Sequence, residues 1–269
     1  MKLFYILCHM VAGLFSLRKL SAEADLRTLR RKIQLWHQKT MTLLEIGSTL
    51  SGEIPKGPCL IVSNHLSWVD ILLIGSFEDV RFVAKAEVAK WPIVGKLASG
   101  AGTLFVRRGD RHSAERAVAD IASELTCGHR VVIFPEGTTT RGPMPIKFRS
   151  RLFQAARQAG VPIVPIALSY HGAGNALVSY ADDDQFISHL FRICGAPFIC
   201  GRISVGKPLS PHEPATTIAK RAQLCVERML EATASLGNTN ASSLEEQTIQ
   251  ASPERDMRTY KSSLTGDLL

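Results

Sequence analysis

No run of apolar residues in this chain approaches the ~20 that a bilayer-spanning helix needs, so no spanning helix is expected. The six cysteines, Cys8, Cys59, Cys127, Cys194, Cys200 and Cys225, include no C-x-x-C pair. That removes the usual zinc-ligand spacing and argues against a disulfide framework, so reduced, mostly buried thiols are expected. G-x-S-x-G, G-x-x-x-x-G-K-[ST] and H-E-x-x-H are all missing, and with them the usual marks of serine hydrolases, P-loop enzymes and zincins. Gly100-Ala101-Gly102 and Gly172-Ala173-Gly174 both lack the third glycine of a dinucleotide loop. There is no internal repeat.

What is present suffices for a core: 45% of the 269 residues are hydrophobic and 21% charged, which excludes a wholly disordered chain. The formal charge is +8. Residues 237–269 carry five acids and three bases, so this tail is −2 and residues 1–236 carry +10. A basic body suits a polyanionic partner, whether nucleic acid, an anionic membrane or a phosphorylated substrate. The bases accompany no nucleic-acid-binding motif, so no nucleic-acid partner is expected.

The N-terminus is apolar from Leu3 to Leu17, broken only by His9, Gly13 and Ser16. As a helix it would reach about 22 Å at ~1.5 Å per residue, short of a ~30 Å hydrocarbon core. Ala22-Glu23-Ala24 resembles a signal-cleavage site, but Arg18 and Lys19 stand where a signal peptide avoids positive charge. A retained helix dipping into one leaflet is expected. From Asp25 to Leu44, Leu26, Leu29, Ile33, Trp36, Thr40 and Leu43 recur at helical spacing, with Arg27, Arg30, Arg31, Lys32 and Lys39 between them. Such a helix suits an anionic headgroup region, or it packs on the domain as an ordinary surface helix.

Gly52, Pro55, Gly57 and Pro58 mark a linker. Strand candidates then follow at 59–63, 80–84, 103–106, 130–134, 162–168 and 199–205, alternating with helical stretches at 112–127 and 152–159 that end at Gly128 and Gly160. The alternation predicts an α/β domain with a single mixed, largely parallel sheet flanked by helices. The organisation read from this is a membrane-associated helical segment at 1–51, the domain at 52–236 with a last helix from Ala215 to Leu236, and a disordered polar tail at 237–269.

Directly after the first of these strands stands Asn64-His65-Leu66-Ser67-Trp68-Val69-Asp70. Histidine is the side chain most easily set as a base near neutral pH, and an aspartate accepting its Nδ1–H leaves Nε2 free. A five-residue step on a regular helix rotates by ~140°, so the pair would not share a face. It works if His65 lies in a strand-to-helix turn and Asp70 in the first turn of the helix. An isolated H-x-x-x-x-D would most simply be a strand-end histidine that packs or caps.

It is accompanied by Phe82-Val83-Ala84-Lys85, Trp91-Pro92-Ile93-Val94-Gly95, Gly102-Thr103-Leu104-Phe105-Val106-Arg107-Arg108, Phe134-Pro135-Glu136-Gly137-Thr138 and Val161-Pro162-Ile163-Val164-Pro165. In that order, from about Leu60 to Tyr170, these blocks resemble the signature blocks of the glycerolipid acyltransferase family, whose bacterial type member is 1-acyl-sn-glycerol-3-phosphate acyltransferase. The resemblance implies His65 as catalytic base and Asp70 as its orienting carboxylate. It implies substrate contacts from Gly102, Phe105, Arg108, Glu136, Gly137, Thr138, Arg149 and Pro165. Arg108 would meet the acceptor's phosphate, Glu136 would pair with Arg108 or accept from a glycerol hydroxyl, and Pro165 would shape the acyl or donor pocket. Arg107, Arg141, Lys147, Arg149 and Arg151 would ring the phosphate with Arg108. Where many members read E-G-T-R-S this chain reads Glu136-Gly137-Thr138-Thr139-Thr140, and Arg107 replaces a common acid.

The activity so implied is O-acyl transfer from acyl-CoA or acyl-acyl carrier protein to 1-acyl-sn-glycerol-3-phosphate, giving phosphatidic acid. No metal or cofactor is expected. The missing arginine keeps a second acceptor open, a lyso-ornithine lipid or a lysophospholipid. A thioesterase and a catalytically silent lipid-binding protein are the other readings. The expected partners are the lyso-lipid acceptor, the thioester donor (including acyl carrier protein) and an anionic membrane surface. The expected location is the inner membrane, monotopic or peripheral, with the site facing the cytoplasm.

Overall fold

The computed structural model describes residues 1–23, 26–107, 109, 111–181 and 184–248. The chain forms two compact units, Met1–Leu230 and Glu231–Leu269. In order the elements are α1 (Lys2–Glu23), α2 (Leu26–Leu44), β1 (Ile46–Ser51), β2 (Leu60–Ser63), α3 (Val69–Phe77), β3 (Arg81–Lys85), α4 (Val94–Gly100), β4 (Leu104–Val106), α5 (Arg111–Thr126), β5 (Val131–Ile133), α6 (Phe153–Ala159), β6 (Ile163–His171), α7 (Phe186–Cys194), β7 (Ile199–Val205) and α8 (Ala215–Thr248).

The seven described strands make one sheet in the order β1-β7-β6-β2-β5-β3-β4. Strands β6, β2, β5, β3 and β4 run parallel to one another. Strand β7 is antiparallel to β6, and β1 is parallel to β7. The sheet is therefore mixed and mostly parallel, as the alternation of elements predicts.

Side chains of the central strands alternate between two cores, as the period of two requires. Ile61, Val132, Val164, Ile166 and Leu168 face the core shared with α1, α2, α3 and α7. Leu60, Val62, Val131, Ile133, Ile163 and Ala167 face the core shared with α5, α6 and the start of α8. Strand β2 is buried along its length because it has a parallel neighbour on each side and helices on both faces, which is why it reads as a continuous apolar run.

Helix α3 (VDILLIGSF) is nearly all buried, wedged between the sheet and α2. Gly75 makes the crossing possible. A Cβ there would stand 2.3 Å from Nδ1 of His37, so α2 approaches closer than any side chain would permit. His37 is buried at this contact with Thr40, Met41 and Leu44. Burial without a charge partner holds its pKa down to about 4.

Trp36 is half-buried. Its ring stacks on His9 with centroids 5.1 Å apart, joining α2 to α1. The apolar side of α2 thus packs on the protein. The outward apolar residues belong to α1, where Phe4, Leu7, Val11 and Phe15 are exposed along one stripe. No helix among the described residues is long and apolar enough to cross a membrane.

The expected boundary after residue 51 falls at the end of β1, a strand of the sheet that the sequence reading left within the helical segment. Helix α8 starts at Ala215 as expected and runs past Leu236 to Thr248. The rest of the expected tail, 249–269, lies outside the described residues.

Candidate active site

The carboxyl ends of the parallel strands β6, β2, β5, β3 and β4 lie at one edge of the sheet, where ligands bind in open α/β folds. Beyond β2 the chain is pinned sideways. Asn64 Nδ2 donates to the carbonyl of Leu168 at 2.9 Å, and its Oδ1 accepts from the Leu168 amide at 2.8 Å. One side chain thereby continues the ladder to β6 after the strand has ended. The next residue, His65, is free to turn toward the start of α3.

Asp70 lies in the first turn of α3 and is fully buried. Its Oδ2 lies 2.8 Å from Nδ1 of His65 and accepts the amides of Leu66 and Ser67 at 2.7 and 2.9 Å. Its Oδ1 accepts the Tyr170 hydroxyl at 2.7 Å. A buried carboxylate is tolerated because every direction it presents is met by a donor. Proximity of Asp70 and burial raise the Tyr170 pKa well above its usual value, burial contributing most, so Tyr170 stays a donor. An acceptor at Nδ1 fixes the imidazole proton there and leaves Nε2 with its lone pair. The His65 side chain is 19% exposed, and its ring stacks on Phe134 at 3.8 Å. The five-residue step thus places the pair as the strand-to-helix turn requires.

Glu136 is buried, and both its oxygens are engaged by the backbone. Its Oε1 accepts the His65 amide at 2.7 Å and its Oε2 the Ile146 amide at 2.8 Å. Burial raises its pKa, and these two hydrogen bonds partly offset the rise. It clamps the backbone of the base to the 137–148 loop. That loop is held near His65 again by the Thr140 amide, which donates to the His65 carbonyl at 2.9 Å. Gly137 turns the chain at φ +77, and the Arg149 guanidinium lies against it, about where a Cβ would make contact at 3.4 Å. Phe148 is buried in the core beneath, which turns its neighbours Lys147 and Arg149 outward. Thr138 is exposed and Thr139 half-buried in the same loop.

Among the described residues, the bases of the expected ring do not gather as one cluster. Arg149 and Lys147 stand in the loop beside Gly137. Arg107 is exposed just past β4, three strands from β2, or roughly 14 Å at ~4.8 Å per strand. Arg141 pairs with Asp184 at 3.7 Å. Arg151 lines a cavity of about 610 Å³ with Glu115, Gln154 and Arg157, between α5, α6 and the start of α8. Arg108 lies outside the described residues. Phe105 is half-buried in β4 beside Ala84, and Gly102 precedes that strand at φ +78 against the Arg81 guanidinium. Pro165 is buried within β6 opposite Val62.

Two contributions escape sequence reasoning. Tyr170 and Phe134 touch Asp70 and His65, and nothing in their spacing announces it; the signal available is that each closes an apolar strand at the carboxyl edge. Trp68, inside the turn, donates its Nε1–H to Nδ1 of buried His189 on α7 at 2.8 Å, and Nε2 of His189 lies 3.1 Å from the Ser179 carbonyl. The turn is therefore held from β6, the 137–148 loop and α7.

Residues 45–169 match the family described as Acyltransferase. Over 229 residues the chain is 38% identical to a lyso-ornithine lipid O-acyltransferase of Pseudomonas aeruginosa, covering 83% of this chain and 88% of that one. It is 32% identical over 184 residues to a 1-acyl-sn-glycerol-3-phosphate acyltransferase of Neisseria gonorrhoeae, covering 65% and 72%. The crystal structure of the 1-acyl-sn-glycerophosphate (LPA) acyltransferase PlsC from Thermotoga maritima shares the fold, with a TM-score of 0.62 at 19% identity over 87% of this chain and 98% of that one. With the blocks in order and relatives matched over most of their length, this chain belongs to the acyltransferase family.

Proposed function

We propose that the protein transfers a fatty acyl group from a thioester, acyl-CoA or acyl-acyl carrier protein, to the free hydroxyl of a lyso-lipid. The observation that carries this is the His65–Asp70 pair, with a buried, fully hydrogen-bonded carboxylate behind a partly exposed imidazole. Nε2 of His65 takes the hydroxyl proton as the oxygen attacks the thioester carbonyl. The carbon–sulfur bond then breaks, and the imidazolium returns its proton to the departing thiolate. Products are an ester and a free thiol. Asp70 stabilises the imidazolium while it lasts. A general base of this kind contributes roughly 10²–10⁴-fold, and positioning supplies much of the rest. The reaction so written uses no metal or other cofactor.

Two observations favour a lyso-ornithine lipid as the acceptor. Thr139 stands where many members carry an arginine, one residue from the amide that bonds the His65 carbonyl. The Pseudomonas relative named for that substrate aligns over 83% of the chain. An ornithine headgroup offers a carboxylate rather than a phosphate monoester, so it needs less positive charge nearby. The second reading is 1-acyl-sn-glycerol-3-phosphate, giving phosphatidic acid. It is supported by the Neisseria relative and by outward Arg149 and Lys147 beside Gly137. Either acceptor reaches the site from a bilayer. The exposed stripe of α1 supports peripheral attachment to an anionic membrane, and an acyl-CoA or acyl carrier protein donor would be met on its cytoplasmic side.

The test is mass spectrometry of lipids after purified protein meets acyl-CoA or acyl-acyl carrier protein with each acceptor. Ester should form on lyso-ornithine lipid in preference to lysophosphatidic acid, and His65→Ala should abolish it while lyso-lipid still binds. Substantial ester from His65→Ala sinks the base assignment. Free fatty acid without ester would mark a thioesterase instead.

A further inference from the structure

Helix α7 (FISHLFRIC) has two faces, and the chemistry of the site uses only one. Inward, His189, Leu190 and Ile193 are buried, and His189 holds Trp68 of the catalytic turn. Phe186 packs edge-on against Trp68, with centroids 5.4 Å apart. Outward, Ile187 and Phe191, one helical turn apart, are 57% and 56% exposed. Phe198, just before β7, is 50% exposed. Scattered apolar side chains on a surface need no explanation, but a pair on one helix face, followed by a second exposed phenylalanine where the chain leaves that helix, does.

This face adjoins another. Helix α1 packs against α7. The Lys2 ammonium and the N-terminal amine lie near enough to Cys194, the last residue of α7, to counter the rise that burial causes in its thiol pKa. Phe4, Leu7, Val11 and Phe15 of α1 are exposed in turn. Helix α4 also packs on α1; it carries the exposed Lys96, and Lys90 lies in the turn before it, neither ion-paired among the described residues. On α2, Arg27, Arg31 and Lys32 are exposed as well. An exposed apolar stripe on α1, with exposed bases on the neighbouring helices α2 and α4, is the composition of a surface that lies on anionic lipid.

We infer that Ile187 and Phe191 of α7, with Phe198, form a second membrane contact beside α1, so that a bilayer with anionic headgroups bears directly on the helix that holds the catalytic turn. The contact goes beyond acyl transfer, and it rests on the lyso-lipid reading only for the reason a bilayer is at hand. Helix α1 attaches the protein, and α7 places the mouth of the site against the surface from which the acceptor arrives. The linkage is short: lipid to Phe191, α7 to His189, His189 to Trp68, and Trp68 to the turn between His65 and Asp70.

The test uses the full chain and no activity measurement, so failure of the acyltransferase reading would leave it standing. Wild type and Ile187→Asp/Phe191→Asp are floated with vesicles of phosphatidylethanolamine and phosphatidylglycerol. Loss of two side chains from hydrocarbon should weaken partitioning by about tenfold or more, with unchanged melting because both residues face outward. A second variant, Phe191→Trp, should show fluorescence quenched by brominated acyl chains beyond that of the wild type. Unchanged partitioning of the double aspartate variant, or no added quenching, would overturn the inference. So would a lipid-free dimer that the aspartates dissociate, which would assign the face to a second copy of the chain.

Discussion

Asp70→Asn separates the charge of the carboxylate from its hydrogen bonds. Three of its partners, His65 Nδ1 and the amides of Leu66 and Ser67, converge on Oδ2, and only the Tyr170 hydroxyl meets Oδ1. An asparagine can keep its oxygen at the Oδ2 position and turn its NH₂ toward Tyr170, whose hydroxyl oxygen then accepts. The turn survives, but the negative charge beside the imidazolium is gone. For charge centres ~4 Å apart at an effective dielectric of ~20, that interaction is ~4 kcal/mol, so kcat should fall by up to ~10³-fold. Melting should change by a few degrees at most. Asp70→Ala should differ in kind: two amides and a hydroxyl lose their acceptor at ~1–3 kcal/mol each, so melting and turnover fall together. The assay is steady-state ester formation beside thermal melting of all three proteins. An Asp70→Asn enzyme keeping more than about a tenth of wild-type kcat, a barrier change below ~1.4 kcal/mol, would refute the argument that this charge stabilises the imidazolium.

Glu136 invites the opposite outcome from the same change of atoms. Both its oxygens accept backbone amides, so Glu136→Gln must turn an NH₂ toward one of two N–H donors; the expected loss is ~2–3 kcal/mol of stability, read by denaturant melts, with reduced activity as the His65 backbone loosens. A Glu136→Gln protein of wild-type stability would contradict the clamp. His37 governs part of the acid response. Its folded pKa of about 4 lies below the ordinary 6.5, so the unfolded chain binds the proton more readily, and stability is lost as pH falls from 6.5 to about 4. The loss reaches about 3 kcal/mol at ~1.4 kcal/mol per unit, and His37→Met should flatten that portion of the stability–pH curve.

How much of this was legible differs by element. The central strands were readable because each is apolar on both faces, and the His65–Asp70 pair because its five-residue step permits one local geometry. Strand β1 escaped because Ile46-Gly47-Ser48-Thr49-Leu50-Ser51 has few apolar residues; the backbone of β7 makes it a strand. Helix α7 escaped because its nine residues complete little more than two turns, and its apolar side runs past the buried Leu190 and Ile193 to the exposed Ile187 and Phe191. The backbone contacts of Glu136 escaped for a related reason. Sequence order gives a carboxylate near the base, but only the fold shows that two amides of distant segments already claim its oxygens. For α2, which carries Trp36, helical spacing shows which residues share a face and leaves open whether that face meets lipid or the domain.

The sheet order has a further consequence, for how the protein is made. Ile46 stands opposite Ile199, so the first strand waits for the last. While the ribosome works through the intervening chain, α1 and α2 have no β7 edge beside them, and the Phe4–Phe15 stripe emerges before any of the domain that follows. Non-local pairings of this kind close late and slowly. A nascent chain engaged with a lipid surface through α1 would complete its sheet there. One released into solution must carry its apolar first helix, without the sheet to pack on, through most of synthesis. A chain stopped before residue 199 could not close the sheet at all: it would leave β1 unpaired and the outer edge of β6 open to the next such chain.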